Sequence, residues 1–486
     1  MKILMVSSES VPFSKSGGLA DVVGALSTAL SDLQAEVRVL LPWYGSVDTS
    51  DFVDSKISLH LDLLGKQETV TIMGKRLDGV LYHFLCHPMF NARLGIYGDT
   101  SFTPYMDNLE RFSLLNKAVL PLCRELDWKP DVIHCHDWTC GFVPYLLKAD
   151  TSAFFAGTKS VITIHNLAFQ GEFSRLQLLN TAIEADERMF HGPAPEKRTN
   201  MLKTGLQFAD AITTVSPTYA QEIQSEAYGC TLEQLLTRRS DVLSGIINGI
   251  DYQQWNPGTD KFIDEHFSQE DLSGKDKTKA AIQKEFGLRV DPSLPLFSMI
   301  SRIADQKGFV ELLSGSPCAL EKMVRDLPLQ MIIIGTGEQS LEEKLIGLGE
   351  KYDNLSVNIL FSNRFAHRVE AGSDFFLMPS KYEPCGLNQL YSLRYGTIPV
   401  ARRTGGLADS IIDLDESPKT GTGILFSSMS ADAILESTKR SLTWWQKGIP
   451  TISDIRKRCM QWDSTWIRSA RSYLSIYENN TEGRKK

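Results

Sequence analysis

The chain has 486 residues, of which 42% are hydrophobic and 23% are charged, and its formal net charge is −8 at pH 7. This length exceeds one ordinary hydrophobic core and predicts two domains, while the composition argues against extended disorder. Nucleic acids and anionic membranes normally require a surplus of basic surface, so we expect neither as a partner.

The first ten residues, MKILMVSSES, contain an apolar run that is too short for the core of a signal peptide. We predict a buried strand there instead. No later stretch reaches the roughly 18 apolar residues of a membrane span. The eight cysteines are scattered and include no CxxC pair, which is typical of free thiols in a reducing cytoplasm, so we expect a cytoplasmic protein.

Short apolar or β-branched runs alternate with segments of helical period along the chain, which is typical of parallel sheets covered by helices. The predicted fold class is α/β, with two doubly wound domains that face one cleft at the carboxyl ends of their strands. In the first half, strands are predicted within residues 2–8, 35–42, 79–86, 131–136, 160–165, 211–215 and 243–247. In the second half, strands are predicted within residues 296–301, 330–334, 357–361, 375–379, 398–401 and 422–426.

A polar stretch with Pro and Gly, residues 251–277, separates the two sets of strands and is the predicted linker. We therefore place the domains at residues 1–248 and 249–455. Residues 456–486 are expected to form a helix that crosses back to the N-terminal domain.

The first predicted strand leads into a glycine pair, KSGGLAD, which precedes apolar residues at helical spacing. Gly17 and Gly18 would then lie at a helix N-terminus, where free N–H groups and the helix dipole favour an anion, and Lys15 would add a positive charge. The alternative is a tight turn beside a solvated lysine. A second GGLAD, at residues 405–409, also follows a predicted strand and would fit paired helix ends that line one cleft.

Two cations follow the first predicted strand of the second half, in the segment SRIADQKG. At this position, Arg302 and Lys307 suit the diphosphate of an anionic substrate such as a nucleotide sugar. The negative charge on that diphosphate grows when the sugar leaves it. The alternative is a pair of solvated surface cations.

A carboxylate follows a later strand of the second half, in the segment KYEPCGLNQLYSLRYG. Glu383 could bind sugar hydroxyls or stabilise a positively charged transition state, unless it is a solvated surface residue. The backbone N–H groups of Gly386, Leu387 and Asn388 could hold phosphate oxygens.

Histidines near two strand ends of the first half raise the question of a metal site. His134 and His136 lie near two cysteines in DVIHCHDWTC, but this spacing matches no usual zinc pattern, and we predict no metal. Asp137 ends the same strand, and His165 and Asn166 end the next one, so we expect all three to face a substrate.

Common nucleotide motifs are absent from the sequence. There is no GxxxxGK[ST] loop, and GTGE at residues 335–338 lacks the third glycine of the dinucleotide motif, so it predicts only a strand-to-helix turn. A DxD at residues 413–415 lies in a charged loop, where a structural role is favoured over a metal site.

Taken together, several segments resemble the bacterial and plant glycogen or starch synthase family, in the same order from residue 12 to about 410. They are KSGGLADVVGAL, HDWTCG, TIHNLAFQG, VSPTYAQEI, INGIDYQQWNP, SRIADQKG, EPCGLNQLYSLRYG and RRTGGLADS. The resemblance implies the GT-B fold, in which two Rossmann-like domains face a deep cleft. It also implies a metal-independent transfer of glucose, with retention at the anomeric carbon and no cofactor.

The resemblance further implies ADP-glucose as the donor and glycogen or another α-1,4-glucan as the acceptor. The N-terminal domain would be the acceptor side and the C-terminal domain would bind the nucleotide sugar. Lys15, Arg302 and Lys307 would hold the diphosphate, with Gly18 and the turn from Gly386 to Asn388 assisting.

Glu383 and His165 would lie beside the transferred glucose, His165 partly through its backbone carbonyl. The residues that would complete the sugar and acceptor site are Asp21, Asp137 and Asn248. Gly17, Asn166, Phe361 and Cys385 are the remaining expected substrate-binding residues. No carboxylate is placed as a covalent nucleophile, so we favour departure and attack on one face of the sugar.

Two positions depart from the family's pattern. Asn388 replaces the usual Thr, and its amide can still donate to phosphate. Leu360 and Phe361 stand where the family often has Gly-Tyr near the nucleobase, so UDP-glucose stays open as an alternative donor. Two other activities stay open: a glucan phosphorylase, for which no segment that binds pyridoxal phosphate is seen, and a non-catalytic glucan-binding protein.

Overall fold

A computed structural model of the chain describes residues 1–48, 50–99, 101, 103–193 and 196–482, with side chains described to residue 480. The chain divides into two compact units, one of Met1–Ile246 together with the chain from Trp466, and one of Ile247–Thr465. The return to the first unit thus begins at Trp466 rather than at residue 456. Residues 456–460 stay in the second unit because Arg456 forms a buried ion pair with Asp374.

The first unit contains twelve of the strands found in the described residues, together with helices between them. Its strands are β1 (Lys2–Val6), β2 (Glu36–Pro42), β3 (Val53–Leu63), β4 (Lys66–Leu77), β5 (Val80–Cys86), β6 (Val132–His136), β7 (Lys159–Ile164), β8 (Glu172–Ser174), β9 (Phe190–His191), β10 (Arg198–Asn200), β11 (Ala211–Thr214) and β12 (Leu243–Gly245). Its helices before the crossing are α1 (Gly18–Asp32), α2 (Pro88–Asn91), α3 (Asn108–Glu125), α4 (Val143–Ala149), α5 (Met201–Phe208), α6 (Pro217–Glu222) and α7 (Glu233–Arg238).

The main sheet of this unit has the order β12-β11-β7-β6-β1-β2-β5-β4-β3. Every pair from β12 to β5 is parallel, whereas β4 pairs antiparallel with both β5 and β3. From β1 the chain builds outward first through β2 and then, on the other side, through β6. This is the doubly wound topology that the strand pattern predicts.

The hairpin β3–β4 and the small antiparallel sheet β8-β10-β9 were not predicted from the sequence. Strand β3 alternates exposed and buried residues along VDSKISLHLDL, which is the period of a half-buried antiparallel strand. Half of the side chains of such a strand are polar, so it contains no continuous apolar run. The hairpin extends the parallel sheet at one edge.

The second unit contains β13 (Leu296–Ile300), β14 (Gln330–Gly335), β15 (Leu355–Ile359), β16 (Phe375–Met378), β17 (Ile398–Arg402) and β18 (Ile424–Phe426). Its helices are α8 (Ser273–Glu285), α9 (Phe309–Leu312), α10 (Ala319–Asp326), α11 (Gln339–Lys351), α12 (Asn363–Gly372), α13 (Asn388–Arg394), α14 (Gly405–Ser410), α15 (Ala431–Trp445) and α16 (Ile449–Met460). The sheet order is β15-β14-β13-β16-β17-β18, and all its pairs are parallel. This unit is doubly wound about β13, which confirms the predicted α/β class.

The predicted linker is instead packed into the second unit. The Trp255 ring stacks between the rings of His367 and Tyr391, with centroid distances of 3.8 and 3.6 Å. The buried Asp260 carboxylate binds His367 Nδ1 at 2.7 Å and accepts a hydrogen bond from the Tyr395 hydroxyl at 2.5 Å. This stretch is therefore held by partners from the rest of the second unit, which also satisfy its buried carboxylate.

Helix α17 (Trp466–Glu482) completes the core of the first unit. Its buried side chains Trp466, Ala470, Tyr473 and Tyr477 join the cluster formed by β1, α1 and β2. The Tyr477 hydroxyl lies 2.7 Å from His134 Nδ1 in β6. The predicted return of a C-terminal helix to the N-terminal domain is thereby confirmed.

No helix among the described residues is long and apolar enough to cross a membrane.

We expect Tyr477→Ala to lower the free energy of unfolding of the first unit by about 3–5 kcal/mol, because it removes a large, fully buried ring. Ser475→Ala, an exposed position on the same helix, is the matched control. Denaturant unfolding followed by circular dichroism measures both variants. A loss from Tyr477→Ala no larger than that from the control would contradict the packing of α17.

Candidate functional site

The expected site residues of the first unit follow three adjacent strands. In the order β7-β6-β1, His165 follows β7, Asp137 follows β6, and the loop with Lys15 follows β1. Winding reverses between β1 and β6, and ligands of doubly wound sheets bind at such a switch point. The chain topology alone thus brings the three segments to one edge of the sheet.

The KSGG loop leads directly into helix α1. Gly17 is the N-cap of α1 and has an extended backbone, and a Cβ atom added to it would meet no atom within 4 Å. Packing therefore does not require this glycine, and the space beside it is open. Lys15 Nζ lies 2.7 Å from the Asp21 carboxylate, and both side chains are partly exposed.

Glu9 organises this loop and was missed by the sequence analysis. Its carboxylate accepts hydrogen bonds from the backbone N–H groups of Ser16 and Gly17, and from the Tyr97 hydroxyl at 2.7 Å. The residue is only 2% exposed, so these charge-assisted bonds replace its lost hydration. A lone acidic residue in the loop that follows the buried strand β1 was the available signal.

Asp137 links the carboxyl ends of β6 and β7. Its φ of +56° is uncommon for a residue other than glycine, and such strain concentrates at functional sites. One carboxylate oxygen accepts a hydrogen bond from the His165 backbone N–H at 2.7 Å. Burial raises the pKa of Asp137 to about 7, so its charge changes near neutral pH.

His165 is held through its ring as well as its backbone. Its Nε2 lies 3.0 Å from Nδ1 of His136. Burial lowers the pKa of His165 to about 3, so the imidazole is neutral at pH 7. Asn166 is partly buried, and its amide oxygen accepts a hydrogen bond from the Ala168 N–H at 3.1 Å.

His134 is a structural residue. Its Nε2 lies 2.6 Å from Thr163 Oγ1, and its other nitrogen binds Tyr477. Among the described residues, no group of three or more His, Cys, Asp or Glu side chains could hold a metal ion.

The expected residues of the second unit also meet at a switch point, between β13 and β16. Lys307 Nζ lies 2.5 Å from Glu383 Oε2, which also accepts a hydrogen bond from the Ser380 hydroxyl at 3.1 Å. Glu383 is 7% exposed, so it is not the solvated surface residue of the alternative interpretation. Arg302 is tied by a 2.9 Å hydrogen bond to the Gln306 side chain.

The second GGLAD motif has a packing role. A Cβ atom on Gly405 would lie 2.0 Å from the Glu383 carbonyl oxygen, and one on Gly406 would lie 2.0 Å from that of Cys385. The start of α14 thus presses against the backbone beside Glu383, which only glycine permits. The open space at Gly17 has no counterpart here, so the two motifs serve different purposes.

The turn after Glu383 is also fixed from within the unit. Gly386 has a φ of +72°, a conformation that favours glycine, and the turn continues through Leu387 into α13. The Asn388 amide donates a 2.6 Å hydrogen bond to the carbonyl oxygen of Ile300 at the end of β13. This side-chain N–H was expected to donate to a phosphate. It instead joins the start of α13 to the end of β13.

Asn248 lies beside Cys385. The backbone of Asn248 forms a hydrogen bond with the buried Cys385 thiol. Burial raises the pKa of Cys385 to about 12, which excludes a thiolate nucleophile at neutral pH. The buried Oδ1 of Asn248 has no hydrogen-bond partner among the described residues. A hydroxyl donor from a ligand would satisfy this oxygen.

Phe361 follows β15, at the edge of the sheet and two strands from β13. Its side chain is 86% exposed. An exposed aromatic ring at the carboxyl edge of the sheet offers a face for stacking.

The remaining motifs have structural explanations. Gly335 and Gly337 allow close approach to the loop at Ser301 and Ile303. In the DxD segment, both Asp413 and Asp415 bind Arg440.

Comparison with known proteins places these features in a family. A profile described as the starch synthase catalytic domain matches residues 2–238, and one described as group 1 glycosyl transferases matches residues 282–447. The glycogen synthase of Treponema denticola is 39% identical over 485 residues, which are 99% of this chain and 99% of that protein. The glycogen synthase of Anaeromyxobacter dehalogenans is 40% identical and covers 100% of both chains.

A solved structure is similar over nearly the whole chain. It is the catalytic domain of starch synthase IV from Arabidopsis thaliana, bound to ADP and acarbose. The TM-score is 0.87 at 29% identity, with 99% of each chain covered. The fold is the GT-B fold that the sequence resemblance implied.

We expect the stability of the wild-type protein to fall, relative to Asp137→Asn, as pH rises from about 4 to about 7. The pKa of Asp137 is raised from 3.8 to about 7 in the folded chain. The folded state therefore holds a proton that the unfolded state has released, and this stabilisation is lost as pH rises through the folded pKa.

Denaturant unfolding of both proteins between pH 4 and pH 8 measures the difference. Asp131→Asn, an exposed position just before β6, should keep the wild-type pH dependence. Parallel curves for the wild type and Asp137→Asn would contradict the raised pKa.

Proposed function

The chain belongs to the glycogen and starch synthase family and is a hexosyltransferase, and we propose that it transfers glucose from ADP-glucose to the non-reducing end of an α-1,4-glucan. Its substrate classes are a nucleotide-sugar donor and a glucan acceptor. We further propose retention of configuration at the anomeric carbon and a cytoplasmic location.

The observation that carries this proposal is the Lys307–Glu383 pair at the switch point of the second unit. Each charge satisfies the other inside a largely buried site. A donor would replace this pairing, with its diphosphate taking the ammonium group and its glucose the carboxylate. Arg302 lies in the same loop and would supply a second cation.

In the first unit, we propose that Lys15 also binds the diphosphate, and that Gly17 and Gly18 leave room for it at the start of α1, although the Gly17 N–H itself donates to Glu9. The open space beside Gly17 supports this role. Glu9 would hold the loop in shape by binding the N–H groups of Ser16 and Gly17.

We propose that the transferred glucose is bound by Glu383, His165 and Asn248. The unpartnered Oδ1 of Asn248 supports a hydrogen bond from a sugar hydroxyl. Asp137 and Asp21 would bind hydroxyls of the sugar and the acceptor.

The proposed reaction needs no covalent intermediate. The bond between the anomeric carbon and the phosphate oxygen breaks, and the acceptor hydroxyl forms the new bond on the same face. The leaving phosphate takes the hydroxyl proton. Arg302 and Lys307 stabilise the charge that develops on the diphosphate.

A row of partly exposed aromatic rings supports an acceptor site on the first unit. Tyr97 and Phe173 flank Trp138, with centroid distances of 6.1 and 6.0 Å. Such rings offer apolar faces to the sugar units of a glucan. These residues were not predicted from the sequence.

We propose ADP-glucose over UDP-glucose as the donor, with Phe361 stacking on the base. The structure of a related protein, starch synthase IV, contains bound ADP, which supports this choice. UDP-glucose is the second candidate, since a ring without a hydroxyl can stack on either base.

The deciding experiment incubates the purified protein with glycogen and either ADP-glucose or UDP-glucose, and measures nucleotide release and chain growth. We expect ADP release with growth of α-1,4 chains. Faster turnover of UDP-glucose would reverse the donor assignment. No chain growth with either donor would reject the proposed function.

We expect Lys307→Ala and Arg302→Ala each to lower kcat by about 10²–10³-fold, because both cations stabilise charge that develops in the transition state. Thermal unfolding checks that each variant remains folded. Lys351→Ala, which removes an exposed ion pair of the same unit, should leave kcat unchanged. Near-normal turnover in both site variants would overturn their assigned roles.

We expect Phe361→Ala to weaken ADP binding about ten-fold, since stacking on one base contributes about 1–3 kcal/mol. Phe361→Tyr keeps the aromatic face and should bind ADP as the wild type does. Isothermal titration calorimetry measures both affinities. Equal affinity in the alanine variant would show that this ring does not contact the base.

A further inference from the structure

We propose that His136 is a positioning residue that fixes the ring of His165 with its proton on Nδ1. The inference rests on the proposed function only in placing His165 beside the transferred glucose. The contact that motivates it is the 3.0 Å approach of His136 Nδ1 to His165 Nε2.

The two histidines end neighbouring strands. His136 is the last residue of β6, and His165 directly follows β7. His136 is fully buried, whereas His165 is partly exposed. The buried ring can therefore act on a ligand only through the partly exposed one.

Burial lowers the pKa of both rings, that of His165 to about 3. Both are neutral at pH 7, so one nitrogen of the contact donates and the other accepts. The second nitrogen of His136, Nε2, is buried and has no partner among the described residues.

The orphan nitrogen decides the direction of the hydrogen bond. If His136 carries its proton on Nδ1, the orphan Nε2 is a bare lone pair. In the opposite tautomer an N–H group would be buried without an acceptor, and unpaired buried donors are the rarer defect. His136 Nδ1–H therefore donates to His165 Nε2, which leaves the His165 proton on Nδ1.

The His136 ring is itself held on its far side. The ring of His134 packs against it at a centroid distance of 4.2 Å. His134 is bound at both nitrogens, by the Tyr477 hydroxyl at 2.7 Å and by Thr163 Oγ1 at 2.6 Å. A line of fixed side chains thus runs from α17 to His165.

This arrangement sets what His165 can do. Its Nε2 lone pair is occupied, so the ring cannot take a proton from the acceptor hydroxyl. Its Nδ1–H, which has no partner among the described residues, can donate to a hydroxyl oxygen of glucose. His165 is therefore a hydrogen-bond donor in the site and not a general base.

The direct test is ¹⁵N NMR of the histidine-labelled wild-type protein at pH 7. We expect His165 as the neutral tautomer protonated on Nδ1, and His136→Phe should release this preference. A His165 ring protonated on Nε2 in the wild type would overturn the proposal, as would an unchanged tautomer in His136→Phe.

Kinetics give a second readout. Phenylalanine in His136→Phe occupies the volume of the imidazole but has no N–H group. We expect kcat to fall about 10–100-fold, which is the usual loss when the hydrogen-bond partner that orients a metal-bound histidine is removed. His136→Asn offers an N–H near the Nδ1 position and should recover most of kcat. Equal losses in the two variants, or no loss in His136→Phe, would overturn the proposal.

The control is His83→Asn. His83 is a buried histidine of the same sheet, and neither of its ring nitrogens has a partner among the described residues. The His83→Asn substitution should leave kcat and the His165 tautomer unchanged. A changed His165 tautomer in this variant would contradict a specific role of His136. The NMR readout needs no turnover, so it still decides the role of His136 if no glucosyl transfer is found and the proposed function fails.

Discussion

Parallel pairing of the strands is the constraint on which each unit depends. Neighbouring parallel strands end at the same edge of a sheet, and each crossover returns the chain to the opposite edge. Where the winding reverses, two adjacent loops diverge and leave room for a ligand. In the first unit these loops carry Lys15 and Asp137, and in the second they carry Lys307 and Glu383. Residues far apart in the chain are therefore brought together by topology before any side chain is chosen.

Three carboxylates at these edges are bound by protein partners. Glu9 binds the loop N–H groups, Asp137 binds the His165 N–H, and Glu383 binds Lys307. A buried charge without such a partner costs several kcal/mol. A substrate would have to offer equivalent partners where it displaces these contacts. The proposed donor, with an anionic diphosphate next to a sugar rich in hydroxyls, would meet that requirement.

The two GGLAD motifs show how one local sequence serves two structural demands. Both stand at the start of a helix that follows a strand, α1 after β1 and α14 after β17. At Gly17 the space beside the backbone is open, whereas Gly405 and Gly406 are pressed against the backbone of the Glu383 turn. The first pair leaves open space at the helix N-terminus, and the second packs against the turn that carries Glu383.

The sequence by itself determined the α/β class, the strands of both parallel sheets and the strand-end positions of Arg302, Lys307, Glu383, Asp137 and His165. Apolar runs and loop positions are local properties, so they can be read without knowing the fold. The amphipathic hairpin β3–β4, the carboxylate of Glu9 and the contact between His136 and His165 were not predicted. Only the tertiary structure decided these, together with the burial that sets the pKa of Asp137 and His165. Hydrogen-bond partners and desolvation depend on which distant segments pack together, and no local pattern in the chain encodes that pairing.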